Sequence, residues 1–307
     1  EVTNVNLSQS GGFMVKTSRG AIKAQNIVAA TGPFQTPVIP SIIADDRISQ
    51  IHSFDYRNPK QLDDGAVLII GAGSSGSQIA DELLRAGRKV YLSIGPHERP
   101  PRSYRGKDFV WWLGTLGKWQ KKTPPIGKEH VTIAVSGAYG GKTVDFRKFA
   151  HRGMKLLGMT KAYANGVITI ADDLGKNIAN GDANYLGLLA EADEYIKVNN
   201  LNFPAEEDAK LIMPDPACLT SPIRQLDLAD AGIKTVLWAT GYIQDFSWLK
   251  ADVFDDQQKP VHKKGVATID GIYFIGLPWL SMRGSSFIWG VWEDARYLAA
   301  HIAKRSS

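Results

Sequence analysis

The residues Gly71-Ala-Gly73-Ser-Ser-Gly76 lie between an unbroken apolar run, Ala66-Val-Leu-Ile-Ile70, and a stretch from Ser77 to Ala86 whose Ile79, Ala80, Leu83 and Leu84 recur at helical spacing. An apolar run without polar alternation reads as a parallel strand covered on both faces. Gly87 ends the helix and Lys89 to Ile94 supplies the next strand, which completes a strand-helix-strand unit. In such a unit the first glycine permits the tight turn, the second lets a diphosphate approach the backbone, and the third lets helix and strand pack closely. Ser74 and Ser75 then stand at the positive end of the helix, where free amides hold an anion. The strand before and the helix after make a weak pattern specific, so a dinucleotide is expected here.

Nucleotides that carry a bare ribose are held by an Asp or Glu at the end of the second strand, about twenty residues on. The chain has Tyr91-Leu-Ser93-Ile94 there, with no acid. His97, Arg99, Arg102 and Arg105 follow, and a guanidinium suits a 2′-phosphate through paired charged hydrogen bonds. Ser93 and Arg99 are the candidates for that contact, which favours NADPH over NADH. Glu98 in the same loop weighs against it, and each arginine taken alone also fits a solvated surface.

Upstream, Val2 to Leu7, Phe13 to Thr17 and Ala21 to Ala29 alternate as strands of a small meander ending at Ala30-Thr31-Gly32. A proline-rich connector runs from Pro33 to Pro59. Downstream of the nucleotide unit the pattern predicts an aromatic helix over Phe109 to Trp119, a polar connector over Gln120 to His130, a helix over Val144 to Gly153, and short strands at Met154 to Gly158 and Val167 to Ala171. Ser136 to Thr143 ends in Gly-Lys-Thr like a phosphate loop, but its opening glycine is misplaced, so ATP binding is set aside. Thr235-Val-Leu-Trp-Ala-Thr-Gly-Tyr242 repeats the device of Ile27 to Gly32, an apolar strand running into Ala-Thr-Gly. Gly271-Ile-Tyr-Phe-Ile-Gly276 is a further buried strand, and a closing helix from Val291 to Lys304 is expected to turn Ala295, Leu298, Ala299 and Ile302 inward.

With two Ala-Thr-Gly strand ends flanking a nucleotide loop, nearly the whole chain resembles the class B flavoprotein monooxygenases, the family of flavin-containing and Baeyer-Villiger monooxygenases. The resemblance implies an α/β fold of two Rossmann-like domains, with an FAD domain (residues 1–60 and 237–307) interrupted by an NADPH domain (61–236). Ala30-Thr31-Gly32 and Ala239-Thr240-Gly241 would mark the crossings, and Gly276, Arg283 and Ser285 would border the flavin. The family fingerprint, Phe-x-Gly-x-x-x-His-x-x-x-Trp or another aromatic, lies on Asp46 to Tyr56. His52 and Tyr56 match, whereas Asp46 and Ile48 depart from it. His52 is thus a candidate for catalysis, set against a linker histidine that hydrogen-bonds backbone. The family opens with its own glycine loop for FAD, and this chain begins at the meander, so the FAD domain is expected to be incomplete at its N-terminus, as in a fragment.

The resemblance further implies that NADPH reduces FAD, that oxygen is taken up as a C4a-peroxyflavin, and that a small organic substrate is oxygenated. An NADPH oxidase or electron-transfer reductase without an oxygenated substrate, and a non-enzymatic nucleotide-sensing module, are the alternatives. The aromatic groups at Phe109 to Trp112 and around Trp279, Phe287, Trp289 and Trp292 are either walls of a substrate pocket or ordinary packing. Cys218 is the single cysteine, which speaks against dithiol redox chemistry. The net charge of +5 is spread among acidic residues, so no nucleic-acid partner is expected. No apolar run is long enough for a bilayer and no secretion signal opens the chain, so a cytoplasmic protein without a membrane partner is expected.

Overall fold

The computed structural model describes residues 1–124 and 132–306. Two compact units emerge. The first holds residues 1–37, the described part of 117–130, and 242–306; the second holds 38–116 and the described part of 131–241.

In the second unit five strands are all parallel, in the order Lys155–Leu157, Val90–Ser93, Ala66–Ile70, Ile233–Trp238 and Ser49–His52. Every residue of Ala66–Ile70 and of Val90–Ser93 is buried, as a strand covered on both faces requires. Alternation then divides the side chains between two layers. Val67 and Ile69 pack with Ile79 and Leu83 of the helix Ser74–Arg85, and with Phe146 and Phe149 of the helix Phe146–His151. Leu68 and Ile70 pack on the opposite face against Ile168, Ile170 and Leu226. Those three belong to an antiparallel sheet of Thr160–Ala164, Val167–Ile170 and Gln225–Asp227. Each such side chain taken fully from water contributes about 1.5–3 kcal/mol, so this core holds the strand that carries the glycine loop.

A helix absent from the sequence expectations runs over Leu174–Val198. Its Leu174, Ile178, Tyr185, Leu189, Ala192 and Ile196 are buried at helical spacing, but Gly175, Gly181 and Gly187 interrupt the pattern in sequence. Tyr185, Leu189 and Ile196 pack with Tyr104 and Trp112, and Trp112 Nε1 donates to the carbonyl of Tyr104 at 3.0 Å. Phe109 and Trp112 are therefore core side chains and not walls of a pocket. The aromatic helix is shorter than expected, Phe109–Thr115, and Gly117 turns the chain at φ +64.

In the first unit the stretch Ala21 to Ala29 does not stay in one strand. Gly20–Ala24 completes the meander with Val2–Leu7 and Phe13–Thr17, while Ile27–Ala29 leaves it to pair in parallel with Ile272–Phe274. The C-terminal helix, Val291–Ser306, buries Leu298 and Asp294 and exposes Ala299, a rotation of the expected inward face. Among the described residues no helix is long and apolar enough to cross a membrane.

Candidate dinucleotide site

The glycine loop leaves the end of Ala66–Ile70 and enters the helix Ser74–Arg85. Gly71 has φ +105, and a Cβ there would stand 2.4 Å from the carbonyl oxygen of Ala239. At Gly76 a Cβ would stand 1.9 Å from the carbonyl oxygen of Gly71. Neither position admits a side chain, so the loop folds back tightly over the strand end. Gly73 is the N-cap and offers no side chain to the first amides of the helix, which leaves them for an anion. The backbone thus fits a dinucleotide diphosphate. Ser74, Ser75 and Gly76 form the first turn of that helix.

One segment that the sequence does not flag stands beside this loop. Ser74 Oγ donates to the carbonyl oxygen of Ile133 at 2.9 Å, and a Cβ on Gly73 would meet Thr132 Cγ2 at 3.3 Å. Thr132 to Val135 carries no motif, so nothing in its composition announces the position. Most of the connector expected over Gln120 to His130 lies outside the described residues.

Ser93 and Arg99 are both turned inward, away from the role expected of them. The Ser93 hydroxyl donates to the carbonyl of Gly158 at 2.9 Å and accepts from Thr160 N and Thr160 Oγ1, each at 3.1 Å. One donor and two lone pairs are then all used. Arg99 is buried; its Nη2 donates to Asp182 Oδ1 at 2.7 Å, its Nη1 to the carbonyl of Val144 at 3.1 Å, and its guanidinium lies over the Tyr185 ring. Asp182 also pairs with Arg147, so Arg99 is part of an internal ion network rather than a free partner for a 2′-phosphate.

His52 is buried at the end of the edge strand Ser49–His52. Its Nδ1 accepts the Phe54 N–H at 3.0 Å, so Nε2 carries the proton and donates to the carbonyl oxygen of Gly241 at 3.0 Å. Burial holds its pKa below the ordinary value of 6.5. The ring is therefore neutral and committed to the Ala239-Thr240-Gly241 crossing, whose Thr240 hydroxyl donates to the carbonyl of Val38. Tyr56, the second fingerprint match, donates to Glu82 Oε2 at 2.9 Å and fastens this connector to the glycine-loop helix.

In the first unit Ala30 and Thr31 are exposed, and Gln35 Nε2 donates to Thr31 Oγ1 and to the carbonyl of Gly32 at 2.9 and 2.8 Å. Gly276, just past the parallel strand Ile272–Phe274, has φ +75 with open space where a side chain would be. Arg283 begins the short helical turn Arg283–Ser286, and the buried Ser285 Oγ accepts the amides of Ser281 and Met282 at 3.1 Å, which gives it a framework role. Phe287, Ile288, Trp289 and Trp292 are exposed.

The family model described as pyridine nucleotide-disulphide oxidoreductase matches residues 1–113. A CzcO-like uncharacterized oxidoreductase of Geobacillus kaustophilus is 33% identical over 295 residues, which covers 94% of this chain and 68% of that protein. Flavin-containing monooxygenase 5 of Cavia porcellus is 27% identical over 212 residues, 66% of this chain and 32% of that one. In fold, a flavin-containing monooxygenase from Stenotrophomonas maltophilia superposes with a TM-score of 0.60 at 16% identity, covering 100% of this chain and 71% of that chain. With a parallel sheet that carries a three-glycine loop, the chain belongs to the class B flavoprotein monooxygenase-like family of FAD- and NADPH-dependent oxidoreductases.

Proposed function

We propose that this oxidoreductase takes hydride from NADPH held at Gly71–Gly76, passes it to FAD, and uses oxygen to oxygenate a small organic substrate. The observation that carries the reading is the loop itself. Gly71 and Gly76 are sterically obligatory, and the helix behind them has an N-terminus without a side-chain cap. FAD, when bound, supplies the redox chemistry and the activation of oxygen. The chain's own part is to bind and to orient. Gly73, Ser74 and Ser75 take the diphosphate, and His52 holds Gly241 so that the crossing keeps its shape. Ala30, Thr31, Gly32, Gly276 and Arg283 border the flavin in this reading, and the exposed Phe287, Trp289 and Trp292 offer an apolar wall to substrate.

The test is NADPH consumption under air by the full-length protein, with products analysed after incubation in isotopically labelled oxygen. Labelled oxygen in the N-oxide, sulfoxide or ester formed from an amine, thioether or ketone supports the monooxygenase. Stoichiometric hydrogen peroxide with every substrate class would make it an oxidase, and no NADPH consumption with FAD present would remove the enzyme reading.

A further inference from the structure

The segment Thr132–Val135 lies directly against the start of the glycine-loop helix. Its Ile133 carbonyl oxygen accepts the Ser74 hydroxyl proton at 2.9 Å, and Ser74 is the first residue of the glycine-loop helix. Gly73, the residue whose missing side chain opens the loop to a ligand, faces Thr132 Cγ2 at 3.3 Å and the Ile133 carbonyl oxygen at 3.9 Å from its ideal Cβ position. A hydroxyl has one proton to give, so Ser74 cannot serve Ile133 and a phosphate oxygen at once. The carbonyl oxygen is also the negative end of a dipole, and it sits at the N-terminus of the glycine-loop helix, the end that favours an anion.

The segment is held in place from behind. Glu98 N donates to the carbonyl of Thr132 at 2.8 Å, and Ala134 N donates to the carbonyl of Glu98 at 2.8 Å, a short parallel bridge with the loop that follows the second strand. Ala134 is wholly buried and packs in the same core as Ile79 and Ala80 of the glycine-loop helix. Thr132 and Ile133 are partly exposed. Ala134 is therefore the buried anchor, backed by Val135, whose N–H reaches Ser74 Oγ at 3.4 Å and whose carbonyl accepts Gln78 Nε2 at 3.5 Å, so that any opening falls at Thr132–Ile133.

We propose that Thr132–Ile133 is a strap that stands in for phosphate at the glycine loop, and that nucleotide binding displaces it by peeling Thr132 from Glu98 while Ala134 stays seated. The strap satisfies the Ser74 hydroxyl and covers Gly73 when no nucleotide is present. Apparent affinity is lowered by the fraction of molecules in which the strap is closed. The proposal rests on the reading that the nucleotide binds at this loop.

Amide hydrogen exchange on the full protein, with and without saturating NADP⁺, tests both separately. The expected result is faster exchange at the Glu98 amide, unchanged exchange at Ala134, and slower exchange at Ser74 to Gly76. A Thr132→Ala variant, which removes the methyl over Gly73, is expected to bind NADP⁺ about 3- to 10-fold more tightly by lowering the closed fraction. Slower or unchanged exchange at Glu98 alongside protection at Ser74 to Gly76 overturns the strap and leaves the nucleotide site standing. Weaker binding by Thr132→Ala also overturns it, since the methyl would then be holding ligand. No protection at Ser74 to Gly76 at any NADP⁺ concentration removes the nucleotide site and the strap with it.

Discussion

His52 donates its Nε2–H to the carbonyl oxygen of Gly241 at 3.0 Å, and the same oxygen accepts the Val38 N–H at 3.1 Å. One carbonyl thus ties the end of the edge strand and the start of the connector to the Ala-Thr-Gly crossing. The Phe54 N–H bond needs a neutral ring, because Nδ1 must stay bare to accept it.

A pH dependence follows from that requirement. Burial is the leading cause that holds the pKa values of His52, His97 and His262 below the ordinary 6.5. His97 and His262 are bound through Nδ1, to the Gly95 carbonyl and the Gly265 amide respectively. In the window between the lowered folded values and 6.5 the unfolded chain binds more protons, so stability rises with pH there. The contribution is complete above 6.5 and is lost as pH falls through the folded values. Each histidine adds a slope of up to about 1.4 kcal/mol per pH unit. Denaturant titrations across mildly acidic pH are expected to show this fall, and His52→Gln should reduce it. Stability that rises on acidification through this window would contradict the neutral assignments.

Arg99→Ala is expected to lower stability by about 1.5–3 kcal/mol, the usual value of a hydrogen bond to a charged group. The loss stays at that level because Arg147 still pairs with Asp182. NADPH and NADH should be affected equally, since the guanidinium is spent on Asp182, the Val144 carbonyl and the Tyr185 ring. Ser93→Ala should behave alike, because its hydroxyl is saturated by Gly158 and Thr160. The kcat/KM ratio of the two nucleotides checks both variants. A selective loss of NADPH use in either would return that residue to the 2′-phosphate.

Gly181→Ala sets two effects of opposite sign against each other. In the middle of the long helix alanine should gain up to about 1 kcal/mol over glycine. Its Cβ, however, would stand 2.4 Å from His97 Nε2, and that ring is buried edge-on to Phe146 with centroids 4.9 Å apart. The ring has no room to give, and overpacking of this kind costs about 1–3 kcal/mol. A net loss in thermal stability is expected; a gain would mean that His97 can leave the core.

How much of this was legible in sequence depended on the range of the interactions involved. The strand Ala66–Ile70 and its glycine loop were readable because their signals are local: an apolar run records burial on two faces, and the three glycines keep a fixed spacing, although only Gly76 meets a near neighbour, Gly71, while Gly71 meets the distant Ala239. His52 was recognisable by its spacing from Tyr56, and Gly241 by its Ala-Thr-Gly motif, but the two are 189 residues apart and nothing in either segment pairs them. Ser93 and Arg99 stand at positions where a nucleotide contact is reasonable. Their partners, Gly158 and Asp182, come from a later strand end and from a helix hidden by its glycines. A charged residue after the second strand reads the same whether it faces solvent or an aspartate supplied by a distant element. Thr132–Val135 has no composition to mark it, since its contact with Ser74 is made by a backbone carbonyl.

Two glycines of one loop are expected to respond differently to the same substitution. Gly76→Ala would place a methyl 1.9 Å from the Gly71 carbonyl oxygen and 3.1 Å from Ala239 Cβ. The obstacle is backbone on a buried strand end, which cannot move without opening the sheet. A cost of about 3 kcal/mol or more is expected, at the upper end for overpacking, with nucleotide binding lost as a consequence of misfolding. Gly73→Ala meets the Thr132 side chain at 3.3 Å and the Ile133 carbonyl oxygen at an ordinary 3.9 Å, and Gly73 has φ −68, which any residue adopts. Its fold should therefore survive within about 1 kcal/mol, helped by the smaller entropy of an unfolded alanine. The methyl still stands where the diphosphate must approach, so NADP⁺ affinity should fall by at least about tenfold, equivalent to 1.4 kcal/mol. Thermal melts and NADP⁺ titrations of the two variants separate the cases. Normal affinity in a folded Gly73→Ala protein would show that the diphosphate does not use this loop.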